Sequence, residues 1–226
     1  MKRAARVAIG LALILMLASS GRPAAARGPQ LTASSADGLM ILELAPIRVT
    51  SGRAPVYELL IFRYDPAARL FHRDFGRDII PQWNRTDSTE SFHVQVLKPG
   101  AYAINLFHIS AWATCYNAGT VYFDVKPGAA TYVGRFDPMQ SAVTISRSVK
   151  AGELPEKTRL AKGLLYLVDG PRPDIRGPSE LPGWQDRIGQ LLTRDYPGVT
   201  APLVGADLHP ASFELGNVLG AETCGR

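Results

Sequence analysis

From Gly38 to about Ser148 the chain repeats one pattern: a short run of alternating or continuous apolar residues, closed by Pro, Gly, Asp or Asn. Period-two alternation bounded by turn residues predicts β-strands. Such runs occur at Leu39–Leu44, Val56–Tyr64, Ser91–Leu97, Ala101–Ile109, Thr120–Val125, Thr131–Phe136 and Ala142–Ser146. No helical spacing separates them, so they predict a mainly β fold, an antiparallel Greek-key-like β-sandwich of about seven strands, over an α/β arrangement. The longest gap, residues 65–90, is rich in Arg and Asp. It predicts an exposed excursion that packs back onto the body through Ile79 and Ile80.

Two identical quartets punctuate this region, Lys98-Pro99-Gly100-Ala101 and Lys126-Pro127-Gly128-Ala129. Proline fixes φ near −65° and glycine tolerates positive φ, so both predict type II turns, with Gly100 and Gly128 at the position only glycine fills easily. Shared turn chemistry explains the repeat more simply than duplication. After the first turn, Tyr102, Ile104 and Leu106 share one strand face, as do Phe92, Val94 and Val96 before it. If the turn passes from one sheet to the other, both sets face the core. Tyr102 then matches a tyrosine corner, in which the hydroxyl bonds back to nearby backbone. Ile104 stands where an antibody-type domain has its cysteine, which excludes that subclass.

The stretch from Phe92 through the P-G-x-Y turn to Tyr132-Val133-Gly134 resembles secreted bacterial β-sandwich domains of the transthyretin-like or surface-layer type. The resemblance spans about residues 38–148. It implies a binding or structural module of the cell envelope and brings no catalytic residue with it.

Beyond Ser148 the pattern changes. Leu164–Val168 is a compact apolar run that suits a further strand, and residues 170–178 form a Pro-rich connector. Residues 181–196 predict a helix, with Ser179 as N-cap, Pro182 in the first turn and Pro197-Gly198 as the stop. Trp184, Ile188, Leu191 and Leu192 recur at helical spacing, a stripe expected to pack on the sandwich. Leu203–Phe213 reads as extended chain returning to a sheet edge. Residues 149–226 are thus expected to form a C-terminal extension that carries one helix.

The chain opens with a basic start (Lys2, Arg3, Arg6), an uncharged apolar run over residues 7–18, and Ala24-Ala25-Ala26. That order is the layout of a secretory signal peptide over residues 1–26, and twelve apolar residues are too short to span a bilayer as a helix. A polar lead-in at 27–37 would follow. Removing the leader takes four of the 25 basic residues and none of the 20 acidic ones, so the net charge falls from +5 to +1. A basic footprint for nucleic acid does not survive processing. The expected location is periplasmic or secreted, in a bacterium, with no integral membrane segment after cleavage.

In an oxidising compartment the two cysteines, Cys115 and Cys224, are expected to pair, since two thiols allow only one intramolecular bridge. Reactive constellations are harder to find. There is no G-x-S-x-G elbow, and Ser110 beside His108 makes a poor nucleophile–base pair. His72, His93, His108 and His209 lack metal-ligand spacing. The Asn84-Arg85-Thr86 acceptor reads as a chance match. No catalytic residue, cofactor site or metal site is assigned. Aromatic residues concentrate at 107–123, where Trp112 and Tyr116 either stack on a sugar ring or peptide or form a lid over the core. The sequence therefore predicts a non-catalytic extracytoplasmic module that binds an envelope protein, peptide or glycan. The alternative is a periplasmic hydrolase whose site is assembled from distant loops.

Overall fold

The computed structural model describes residues 28–48, 57–72, 80–81, 91–152, 157–160, 163–218 and 221–224. The leader segment and the Asn84 triplet lie outside the described residues. In chain order the first strands are β1 (Gly38–Leu44), β2 (Glu58–Asp65), β3 (Leu70–Phe71), β4 (Ile80–Pro81), β5 (Ser91–Leu97) and β6 (Gly100–Ile109). Next come β7 (Trp112–Cys115), β8 (Thr120–Val125), β9 (Ala130–Asp137) and helix α1 (Met139–Ala151). The remainder is β10 (Lys157–Leu160), β11 (Gly163–Asp169), β12 (Asp174–Arg176), helix α2 (Trp184–Asp195), β13 (Leu203–Gly205), β14 (His209–Ala211), β15 (Gly216–Val218) and β16 (Ala221–Thr223).

The strands form two sheets. The smaller runs β12-β9-β1-β5, with β13 also on β9; the larger runs β14-β8-β6-β7-β11-β10-β16-β15, with β2 on β6 and β3 and β4 on β2. Both sheets are mixed: β1 and β13 run parallel to β9, β7 to β11, and β10 to β16. This differs from the wholly antiparallel sandwich expected. Alternation along a strand reports which face is buried and says nothing about the direction of its neighbour. Residues after Ser148 supply strands to both sheets as well as α2.

One core lies between the sheets, with Met40, Leu42 and Leu44 of β1 facing Tyr102, Ile104 and Phe107 of β6. A second fills the other side of β1, where Leu39 and Ile41 meet Ile188, Leu191 and Leu192 of α2. The helical stripe read from the sequence therefore packs on the body as expected. A third lies on the outer face of β6, where Ala103 and Leu106 pack with Phe71, Phe213 and the two cysteines.

Six of the seven predicted strands are present, and Leu164–Val168 falls within β11. The seventh, Ala142–Ser146, lies inside α1. Its run of β-branched residues, Val143-Thr144-Ile145, imitates a strand, but Ser141, Ile145 and Ser148 form the buried face at helical spacing. The helix opens where the Met139 N–H donates to Asp137 Oδ1 (2.9 Å) and stops at Gly152, which adopts φ 69°. α2 begins later than predicted: Ser179 sits in a 3-10 turn (Pro178–Glu180), and Gly183 is the N-cap. Ile80 rejoins the body by pairing with Ile61, whereas Ile79 lies outside the described residues.

The Pro99-Gly100 turn does carry the chain from the smaller sheet to the larger. Tyr102 is buried, and its hydroxyl donates to the Lys98 carbonyl at 2.9 Å, the bond expected of a tyrosine corner. The two quartets are not one turn, however. Gly128 has φ 62°, while Gly100 has φ 145° and opens directly into β6. Gly128 is also hemmed in, since a Cβ there would lie 2.2 Å from the Ala33 carbonyl oxygen.

Leu106 does not share the face of Tyr102 and Ile104. Leu60 pairs with Leu106 and Ile61 with Ile104, so Asn105 is a bulge that reverses the alternation. Phe92 and Val94 likewise pack on the α2 side of the smaller sheet, not between the sheets. At the bulge β6 exchanges one neighbour for another, pairing with β8 before Asn105 and β7 after it. The freed backbone is satisfied locally. Thr120 Oγ1 donates to the Ile104 carbonyl (2.6 Å), the Tyr116 N–H to the Asn105 carbonyl (3.1 Å), and Asn105 Nδ2 to the Cys224 carbonyl (2.8 Å).

The last bond places the tail beside β7, where Cys115 and Cys224 form the expected disulfide with Cα atoms 5.7 Å apart. Both cysteines are buried. Cys115 ends β7 itself, a strand the sequence reading leaves as loop. Closing a loop of 109 residues is worth roughly 4–5 kcal/mol in the chain-entropy model. Replacing both cysteines with alanine is expected to lower stability by about that amount, read from the denaturant midpoint. Tyr102→Phe should cost about 1 kcal/mol by the same measurement.

Candidate functional site

Helix α1 packs against β7 and β11 through its buried face. The anchor is a hydrogen bond between Ser141 Oγ and the hydroxyl of Tyr116 (2.7 Å), both buried. Burial pushes the Tyr116 phenol well above its ordinary pKa, so it stays protonated. Arg48 Nη2 pairs with Asp137 Oδ2 (3.0 Å) at the start of the helix.

The outer face of α1 leaves Val143 and Val149 each 46% exposed, the two most exposed large apolar side chains among the described residues. Between this face and the segment after β11 runs an open groove of about 620 Å³. Met139, Val143 and Pro171 give it an apolar floor, and Gln140, Thr144 and Arg147 give it polar edges. Thr144 Oγ1 donates to the Gln140 carbonyl (3.0 Å). Arg147 is exposed and pairs with no acid among the described residues. An apolar strip beside an exposed guanidinium suits a chain segment with an apolar side chain and a carboxylate.

The aromatic residues singled out from the sequence lie behind this groove. Trp112 stands on β7 with its ring 5.0 Å from that of Tyr166, half-buried against the inter-sheet core. Tyr116 is a core residue, and its role is to seat α1. Gly100 and Tyr102 lie at the start of β6, and Gly128 lies in the turn between β8 and β9. The groove itself escapes the sequence reading, because its helix reads as a strand. The available signal is Asp137-Pro138 ahead of an i, i+4, i+7 set that ends at Gly152.

The histidines are dispersed. His108 Nε2 is 2.6 Å from Glu58 Oε2 across β2 and β6, and its Nδ1 is enclosed without a partner. Ser110 is exposed in the turn after β6, with φ 54°. His93 Nε2 bonds Gln95 Oε1 (2.9 Å), and burial holds its imidazole below the usual histidine pKa. His209 stacks on Tyr122 and His72 is exposed. Among the described residues no three His, Cys, Asp or Glu side chains converge as metal ligands. Among them, too, no helix is long and apolar enough to cross a membrane.

The most heavily shielded charge is Glu43 on β1, fully buried. Arg135 Nε approaches its Oε1 at 3.3 Å, and Arg187 Nη2 its Oε2 at 3.0 Å. The Tyr132 hydroxyl donates to the same Oε2 (2.9 Å), and its ring stacks on Trp184. Burial, then the Glu43 carboxylate, raise the Tyr132 pKa, which keeps the hydroxyl a donor. This cluster joins α2 to β1 and β9.

Compared with family models, curated proteins and solved structures, the chain matches none.

Removing the Glu43 carboxylate would leave two arginines facing a buried void. Glu43→Ala is expected to lose about 3 kcal/mol, and hydrogen exchange should accelerate first in α2. Unchanged protection in α2 would show that the cluster does not hold the helix.

Proposed function

We propose that the protein is a non-catalytic, extracytoplasmic binding module whose ligand site is the groove along α1. The observation that carries this reading is the juxtaposition of exposed Val143 with Arg147, which pairs with no acid among the described residues, on a helix whose opposite face is fixed by Tyr116 and Ser141. The fitting ligand is an extended peptide segment of an envelope partner, with an apolar side chain against Val143 and a carboxylate on Arg147. The buried disulfide and the apolar, leader-like start of the sequence support an extracytoplasmic setting.

The rival hydrolase would use Glu58 and His108 as its orienting acid and base. Their geometry favours a structural pair, since the remaining imidazole nitrogen is enclosed and cannot reach a substrate. Peptides selected from a displayed library should combine an apolar residue with a nearby Asp or Glu. Their binding should fall at least about tenfold, roughly 1.4 kcal/mol, in Arg147→Glu and in Val143→Asp. Failure to select any peptide, or peptides that bind both variants as well as the wild type, would refute the groove as the site. Ester or amide hydrolysis abolished by His108→Ala would establish the rival.

A further inference from the structure

β5 is the outer strand of the smaller sheet. It pairs with β1 in unbroken antiparallel register from Gly38↔Leu97 to Leu44↔Ser91, and among the described residues no strand pairs with its other edge. The direction of its backbone follows from two bonds on the far side of β1. The Leu39 N–H donates to the Ala129 carbonyl and the Ala45 N–H to the Phe136 carbonyl. Odd-numbered residues of β1 therefore point their backbone towards β9, and even-numbered residues towards β5. Through the register, His93 and Gln95 point their backbone back to β1. Phe92, Val94 and Val96 present N–H and C=O groups outwards.

Exposed sheet edges are usually blunted by a lysine, a proline, a bulge or shortness, because a bare row of donors and acceptors templates another strand. β5 has none of these. It is seven residues long, uncharged, free of proline and regular in register, and the Val96 side chain is 38% exposed.

We propose that this edge pairs antiparallel with β5 of a second copy of the chain, about a twofold axis through Val94. In that register Val94 faces its own counterpart, and Phe92 faces the second copy's Val96. Each pair exchanges two main-chain hydrogen bonds, so all three outward residues on each strand are satisfied. His93 falls opposite the second copy's Gln95 at a close, non-hydrogen-bonded position. Apolar side chains thus meet apolar ones on the α2 face, and amide meets imidazole on the other. No charge opposes a like charge. An axis through His93 would bring only Phe92 and Val94 into bonding register and leave Val96 unused. The strand is self-complementary in one register, which is what an isologous interface requires. Pairing fuses the two five-stranded sheets into one continuous sheet.

Sedimentation of the wild-type protein and two variants tests this. The Val94 N–H points outwards, so Val94→Pro removes no ladder bond within the protomer. Val96→Lys puts a charge on the exposed edge. The wild type is expected to sediment as a dimer. Each variant that keeps the wild-type near-ultraviolet circular dichroism is expected to be a monomer. Arg147→Glu should remain dimeric, because the α1 groove plays no part in the pairing. A monomeric wild type, or a dimer that either folded variant retains, overturns the proposal.

Discussion

β1 is buried on both faces, and the arrangement of the other elements follows from covering it. All seven of its residues are buried, with Met40, Leu42 and Leu44 on one side and Leu39 and Ile41 on the other. Each large side chain withdrawn from water contributes about 1.5–3 kcal/mol relative to exposure, so neither face can be left open. One face is closed by the larger sheet through β6. The other needs a separate layer, and α2 provides it. Glu43 is the only charge on the strand, and it is accommodated because Arg135 and Arg187 reach it from β9 and α2. A buried carboxylate that needs partners from two elements adds little net stability, but it disfavours any other seating of the helix.

The second organising feature is the partner exchange at the middle of β6. The Asn105 bulge lets one edge of the strand serve β8 and then β7 while its inward residues stay in the core. It also turns the Asn105 side chain towards the tail, whose Cys224 carbonyl it binds. The disulfide closes that contact covalently. β9 behaves in a parallel way: Gly134, at φ 129°, separates the stretch that pairs with β13 from the stretch that pairs with β12. A Cβ at that position would lie 2.2 Å from the Arg176 carbonyl oxygen, so the crossing demands glycine. These two junctions carry the residues after Ser148 into both sheets. α1 leaves β9 just past the second junction, and Tyr116 beside the first pins it in place.

Local patterning was enough to read the strands whose alternation matches burial, the Tyr102 corner, the α2 stripe and the cysteine pair. Each depends on side-chain period, turn chemistry or simple counting. What patterning missed depends on long-range partners. Parallel pairing of β1 with β9 leaves no mark in the alternation of either strand. The bulge at Asn105 is invisible because asparagine in a strand reads only as a polar position. α1 reads as a strand because two of the three residues on its buried face are serines, Ser141 bonded to Tyr116, so the hydrophobic period of a helix is absent. The candidate groove was lost with that helix. Tyr116 lies in the core and seats α1, and Trp112 packs on Tyr166.

The central claim is that β1, the larger sheet and α2 form one cooperative unit around a strand buried on both faces. Native-state hydrogen exchange of the β1 and α2 amides across a denaturant series tests it most directly. The account predicts that the amides of Leu39–Leu44 and those of Ile188, Leu191 and Leu192 converge on a single global unfolding free energy. If α2 opened in a separate, lower-energy step while β1 stayed fully protected, the helix would be a detachable cover and the account would be wrong.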